Sequence, residues 1–381
     1  MGSVTWGADV PGGIPFSGNV TLSGCRLVGA GAADDALALG WNEHPADANT
    51  VAVWRMNEVW NGTAGEVIDA SGNGYHGQAI NGVNTDAGWM DRAYKGVQSS
   101  NHYADVPTTL TGLNTLSALT VEAWVYPEKL GAQSGRVVFD NDYSYTLELR
   151  NAQKGTQTPF WRARTWTSVN GQNVVDSGAS NDFVWQWYHV AFCWDGSQMR
   201  IYVNGQLLVS KASTGSLTRT PRGGRRNIGR DGAYLNGWYQ GWMDDLRISS
   251  VARYSSAFSP TRYPTTGTGT LTGTGLATRV PTAVSWTATE GASYGEVSKV
   301  ELLDAALGWT QVGGDNPTSP ISVSGITLAA DASVRVTLTP KADAIRSETP
   351  TLADVTLTYA DPVTSSPYYY QQIIANRRGR H

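Results

Sequence analysis

Apolar residues recur at every second position in short runs along most of this chain, the period of half-buried strands rather than of helices. In LTVEAWVYP, residues 119–127, Leu119, Val121, Ala123 and Val125 fall on one face, and Thr120, Glu122, Trp124 and Tyr126 on the other. The run WYHVAFCWDGSQMRIYVNGQLLV, residues 187–209, sets Asp195-Gly196 and Asn204-Gly205 between apolar stretches. Both pairs tolerate positive φ, so the run predicts an antiparallel meander of three strands. GWMDDLRIS, residues 241–249, predicts the strand that closes the same domain. Helix signals are nearly absent throughout.

The pattern also divides the chain. Residues 1–45 mix Gly, Pro and Ala with no sustained period, and predict an extended arm. Strand signals from Val51 onward define a first domain over 46–260. TTGTGTLTGTGLAT, residues 265–278, is a low-complexity Gly/Thr stretch, which places a linker at 261–278. AVSWTA, KVELL, ISVSGITL, SVRVTLTP and LADVTLTYA then alternate between turn clusters, predicting a smaller β-sandwich over 279–360. The last segment, 361–381, carries three consecutive tyrosines and a basic end: a solvated tail, or a contact with neighbouring chains.

Composition supports the all-β reading. Among 381 residues there are 43 Gly, 15 Trp and 17 Tyr, a mixture that favours strands and turns over long helices. The formal net charge of -4 argues against a nucleic-acid partner, which would call for a basic excess. No run approaches the roughly 20 apolar residues that span a bilayer, so membrane insertion is not expected. The opening MGSVTWGADVPGG has no basic region followed by an apolar run. The expectation is a protein that reaches the outside by assembly into a virus particle, or a secreted one without its leader. Cys25 and Cys193 are the only cysteines and define no disulfide framework.

Two aromatic and basic sets are candidates for sugar binding, since a flat ring covers the apolar face of a pyranose while polar neighbours fix its hydroxyls. FWRARTW puts Phe160, Arg162, Arg164 and Trp166 on one strand face, and GRDGAYLNGWYQGW gathers Tyr234, Trp238 and Tyr239 in a loop. The glycan candidates are Arg164, Tyr234, Trp238 and Tyr239; the same residues equally suit a sandwich core or a protein interface. The arginines of PRGGRRNIGR, residues 221–230, read as a solvated hairpin rim, with contact to an acidic glycan or an acidic neighbouring chain as the alternative.

A string of motifs in order, VAVWRMNE, VIDASGNGYHG, LTVEAWVYP, WYHVAFCWDG with MRIYVNG, and GWMDDLRIS, resembles the laminin-G-like family of concanavalin A-like lectin and glucanase domains, over roughly half the chain. The resemblance implies an antiparallel jelly-roll β-sandwich for the first domain, and the strand pattern of 279–360 adds the second, smaller β-sandwich after it. It also implies one structural calcium near the Asp-x-Ser-Gly-Asn-Gly loop and the final strand, carried over onto Asp69 and Asp244 with Asn73 as a helper. Asp244 shares its strand face with Leu246 and Ile248 in strict alternation, so it is expected to point inward and to need a cation or several donors. Alternatively, both aspartates accept backbone N–H groups in turns.

The scaffold hosts lectins and glycosidases alike, so the site must decide. The Glu-x-Asp-x-Glu strand of the related glucanases is missing, Asp140 and Asp142 sit among turn formers, and His76, His102 and His189 lie on different elements without a nucleophile motif. The sequence therefore predicts a non-catalytic recognition protein at a virion surface or outside the cell. Its expected partners are other virion proteins, copies of itself and surface glycans; a secreted bacterial adhesion protein is the alternative.

Overall fold

A computed structural model describes residues 2–6, 20–23, 25–28, 36–128, 136–141, 144–151, 159–178, 183–217, 225–232, 237–262, 264, 266–342 and 349–360. The chain is all-β, and its strand pairs are antiparallel throughout the described residues. It divides into two compact units, one of residues 42–262 and one of residues 1–41 with 263–381.

In the larger unit an eight-stranded sheet runs in the order Gln206–Ala212, Gln198–Val203, Tyr188–Trp194, Leu119–Pro127, Gly241–Ser249, Arg92–Gly96, Asn84–Ala87, with Thr50–Trp54 also pairing Gly241–Ser249. A seven-stranded sheet runs Gly171–Asp176, Pro159–Thr167, Tyr145–Asn151, Arg136–Asn141, Arg226–Ile228, Tyr103–Asp105, Gln78–Ile80. Alternation builds the core between them. Val121, Ala123, Val125, Phe192 and Trp194 come from the first sheet and Leu147, Leu149, Trp161 and Ala163 from the second, all fully buried. Each fully buried Leu, Val or Phe contributes about 1.5–3 kcal/mol. The large rings are satisfied as well as packed: the indole N–H of Trp54 donates to the Tyr75 carbonyl at 2.9 Å and that of Trp194 to the Ser213 carbonyl at 2.8 Å.

The smaller unit differs from the organisation expected of it. Instead of an unpaired arm, Gly2–Trp6 pairs with Thr351–Ala360, Val20–Ser23 with Gly267–Thr272, and Cys25–Val28 with Ala36–Leu39. Trp6 and Leu39 belong to its core. The expected Gly/Thr linker is also structural: Gly267–Thr272 is a strand between Val20–Ser23 and Ala332–Pro340, with Leu271 buried. The second sandwich is therefore completed by residues on both sides of the large unit. Both cysteines are free thiols. No helix of the described residues is long and apolar enough to cross a membrane. The Tyr-rich tail of 361–381 lies outside the described residues.

Candidate functional site

On the strand Leu119–Pro127, the alternation that sends Val121 and Ala123 into the core turns Thr120, Glu122, Trp124 and Tyr126 to the sheet's outer face. Directly opposed residues share a face, so Arg247 joins Glu122, and His189 joins Trp124. The segments by which the chain enters and leaves the unit cover part of this face. The His44 N–H donates to a carboxylate oxygen of Asp245 at 2.6 Å, and Tyr254 and Phe258 stack at 3.5 Å over a patch of Ala191, Cys193 and Tyr202. The two segments are tied together, Asn42 N–H donating to the Arg262 carbonyl at 2.9 Å and its side-chain amide to the Thr261 hydroxyl at 2.8 Å.

Between these segments and the sheet lies a cavity of about 310 Å³, walled by His44, Trp124, His189, Arg247, Tyr254 and Phe258 among others. Glu122 is wholly buried beside it. Arg247 donates to its Oε1 through Nε and Nη2 at 2.9 and 2.7 Å, and the Tyr254 hydroxyl donates to its Oε2 at 2.7 Å. His44 Nε2 and His189 Nε2 lie 3.5 and 3.4 Å from that same Oε2. Burial alone would raise the Glu122 carboxyl, but His44, His189 and Arg247 outweigh it and hold the group ionised, well below the usual range. Burial also pushes both imidazoles down. Asp245 and Glu122 reverse this for His44, whose pKa is raised, whereas Glu122 does not overcome it for His189, whose pKa is lowered.

From the cavity a row of rings runs across the same face. Trp124, Trp89, Trp187, Tyr126 and Trp242 follow one another at centroid separations of 5.1, 5.9, 5.8 and 5.4 Å. Trp124 is buried and the other four are half-buried, so the row deepens towards the cavity. Arg262 lies over Trp89 and Lys95 over Trp242, 4.6 and 4.5 Å from the ring centroids, leaving cationic groups along an apolar strip. Just beyond Pro127's carbonyl, which accepts the Trp185 N–H at 2.7 Å, Trp185 is 59% exposed at φ 65. A bulky residue held in the left-handed region is strained, and one left in water there gains nothing from packing.

The residues singled out in the sequence do not converge on this place. Asp69 is saturated by the chain's own donors: Oδ1 accepts from Val53 N–H and Ser71 N–H, and Oδ2 from the Ser71 hydroxyl and Tyr75 N–H. With four lone-pair positions filled, it has none to offer a calcium ion. Asn73 spends its amide donors on the Thr50 and Val51 carbonyls. Asp244 does not point into the core: Asp245, at φ 48, and a register shift between Glu122 and Trp124 break the alternation, so Asp244 lies opposite Trp124 on the outer face. Its Oδ2 accepts the Met90 N–H at 2.6 Å, and its Oδ1 has no hydrogen-bond partner among the described residues. These three residues do not fit the calcium site that the family resemblance implied.

The glycan candidates scatter too. Arg164 is paired with Glu148 on the seven-stranded sheet. Tyr239 is wholly buried against Tyr94 in the core, where no sugar reaches it. Trp238 is half-buried, its carbonyl accepting from Arg136 at 3.0 Å, and Tyr234 lies outside the described residues. Arg226, expected on a solvated rim, is fully buried and donates to Asn141, Asn114 and the carbonyls of Pro107 and Leu110. The sequence reading missed His44, Glu122, Trp89, Trp187 and Trp242. The one legible signal was Glu122, a lone carboxylate on a face otherwise shared with Trp124 and Tyr126.

Compared with known proteins, residues 98–257, inside the larger unit, match the family described as the concanavalin A-like lectin/glucanases superfamily. No curated protein matches the sequence. Similar solved structures include domain 4 of a GH43 extracellular arabinanase from Geobacillus stearothermophilus in complex with arabinotriose, at 18% identity and TM-score 0.38, covering 54% of this chain and 93% of that one. Another is the receptor binding domain of botulinum neurotoxin D, at 13% identity and TM-score 0.39, covering 55% of this chain and 51% of that one. The chain thus spans about half the length of the neurotoxin domain.

Proposed function

We propose that this protein is a non-catalytic recognition protein whose lectin/glucanase-type domain binds carbohydrate along the aromatic row on the outer face of its eight-stranded sheet. The observation that carries the reading is the row itself. Four half-buried rings, 5.4–5.9 Å apart from centroid to centroid, form a continuous apolar strip against which sugar rings can pack, and Lys95 and Arg262, which lie over Trp242 and Trp89, add cationic groups that suit hydroxyls or acidic substituents. The non-catalytic reading is supported by the carboxylates of the opposite sheet. Asp140 is engaged by the Thr146 hydroxyl and the Gly232 N–H, and Glu148 by Arg150 and Arg164, so neither is free to act as an acid or base.

Screening the full chain against a glycan array tests this: binding to a defined set without cleavage is expected, and turnover of a bound polysaccharide would refute it. We place the protein at the surface of a phage particle, in contact with other virion proteins or further copies of itself. Immunogold labelling of intact particles should decorate their surface; label confined to the particle-free fraction would favour a secreted protein instead.

A further inference from the structure

We propose that His44 Nε2, His189 Nε2 and Glu122 Oε2 form a binding site for one divalent transition-metal ion of the zinc class, with its remaining coordination position open to the adjoining cavity. The three atoms lie 3.3, 3.4 and 3.5 Å from one another, and all three side chains are buried. Zinc takes imidazole nitrogen at about 2.0–2.1 Å and carboxylate oxygen at about 2.0–2.2 Å, so neighbouring ligands of a tetrahedral ion sit about 3.3–3.5 Å apart. The observed triangle has that size without rearrangement. Two imidazoles and one carboxylate suit zinc, or its ferrous and cobaltous neighbours, better than calcium, which prefers six or more oxygens.

The surroundings hold the ligands in the required state. His44 Nδ1 lies 2.8 Å from the Asp245 carbonyl oxygen and 2.9 Å from a carboxylate oxygen of the same residue. Both are acceptors, so in the neutral ring Nδ1 carries the proton and Nε2 is the nitrogen left to bind an ion, the carboxylate–histidine arrangement that orients metal-binding imidazoles. Glu122 is fixed by Arg247 on Oε1 and by Tyr254 on Oε2.

Charge points the same way. Glu122 and Asp245 are two buried carboxylates; Arg247 pairs with Glu122, and Arg253, 3.9 Å from the same Glu122 oxygen, is paired with Asp47, leaving one negative charge with two imidazoles turned towards it. A buried net charge demands a counter-ion. A proton on one imidazole could supply it, but would leave the second Nε2 only 3.3 Å away competing for the same carboxylate oxygen. A divalent ion uses all three lone pairs together. His189 Nδ1 has no partner among the described residues and is the weakest point of the site.

The inference does not rest on carbohydrate binding and is tested without it. The full chain, dialysed against a chelator and checked for its fold by near-ultraviolet circular dichroism, is titrated with Zn2+ in a calorimeter and with Co2+ in a spectrophotometer. We expect one ion per chain, intense visible Co2+ bands of tetrahedral type, and an affinity at least about a hundredfold weaker in His44→Gln and His189→Gln. Should those variants fail to fold, X-ray absorption at the zinc edge of the unaltered protein decides instead, through the scattering of two imidazoles. A folded, chelator-treated chain that takes up neither ion near stoichiometry, an ion held without imidazole, or equal affinity in folded variants would each overturn the proposal.

Discussion

Single residues on the outer sheet face show how environment sets chemistry. Glu122 and Asp244 project from adjacent strands to the same face and both are buried, yet their states are opposite. Glu122 has Arg247 and two imidazoles and stays ionised, whereas Asp244 has, among the described residues, only the backbone N–H groups of Met90 and Trp89. Burial, with Asp245 and Glu43 nearby, raises its carboxyl well above the usual range against the pull of the Met90 N–H. A raised carboxyl favours folding fully only below its unfolded value, and that advantage is lost as pH rises towards the folded value. Asp244→Asn keeps an acceptor for Met90 and removes this dependence. The variant should therefore gain on the parent by up to about 1.4 kcal/mol per pH unit above the ordinary aspartate range. Urea unfolding between pH 4 and 8 measures it, and a constant difference would contradict the assignment. At this scale the sequence was least legible. Alternation put Asp244 inside with Leu246 and Ile248, and nothing in GWMDDLRIS announced that Asp245 would adopt φ 48 and reverse the phase. His44 carried no signal at all, lying in a stretch without any period.

Strands were legible where a period of two coincided with turn chemistry. The strands Leu119–Pro127, Tyr188–Trp194 and Gln198–Val203 lie where the apolar runs put them, and the turn at Asn204-Gly205 has positive φ at both residues, 47 and 75. The turn also has a second task that the sequence hid. A Cβ on Gly205 would meet the Phe258 carbonyl oxygen at 1.8 Å, while the Phe258 N–H donates to the Gly205 carbonyl at 3.0 Å. The exit segment that covers the cavity is thus seated on this glycine. Gly205→Ala combines a strained backbone with displacement of that segment and should cost about 2–4 kcal/mol. Chemical denaturation together with faster hydrogen exchange near Phe258 would show it; a neutral effect would mean the segment is not docked there. The Gly/Thr stretch was misjudged because Gly267 and Gly269 occupy the inward positions beside Leu271, so its alternation lacks the apolar contrast that marks other strands.

For the whole molecule, the division into units follows from which strands complete which core. The larger unit is continuous in sequence, with residues Asn42 and Arg262 hydrogen-bonded at its ends, and its resemblance to a known family was readable from motif order. The smaller one draws on strands more than 250 residues away, as in Gly2–Trp6 against Thr351–Ala360, a pairing no local pattern can reveal. Removing residues 1–41 takes Trp6 and Leu39 from its core and leaves the larger unit's core untouched. Calorimetry of the truncated chain should show the smaller unit's transition lowered or lost and the other retained; loss of both together would show that the units do not fold independently.

The recognition reading turns on where a sugar sits. Once the array has supplied a ligand, its calorimetric titration against the parent, Trp187→Ala and Trp238→Ala is the most direct measurement. Trp187 belongs to the outer row and Trp238 to the loop that composition alone favoured. We predict that Trp187→Ala weakens binding at least about tenfold, as loss of a stacked ring worth 1.4 kcal/mol or more requires, while Trp238→Ala leaves it unchanged. The reverse pattern would move the site away from the eight-stranded sheet and contradict the account.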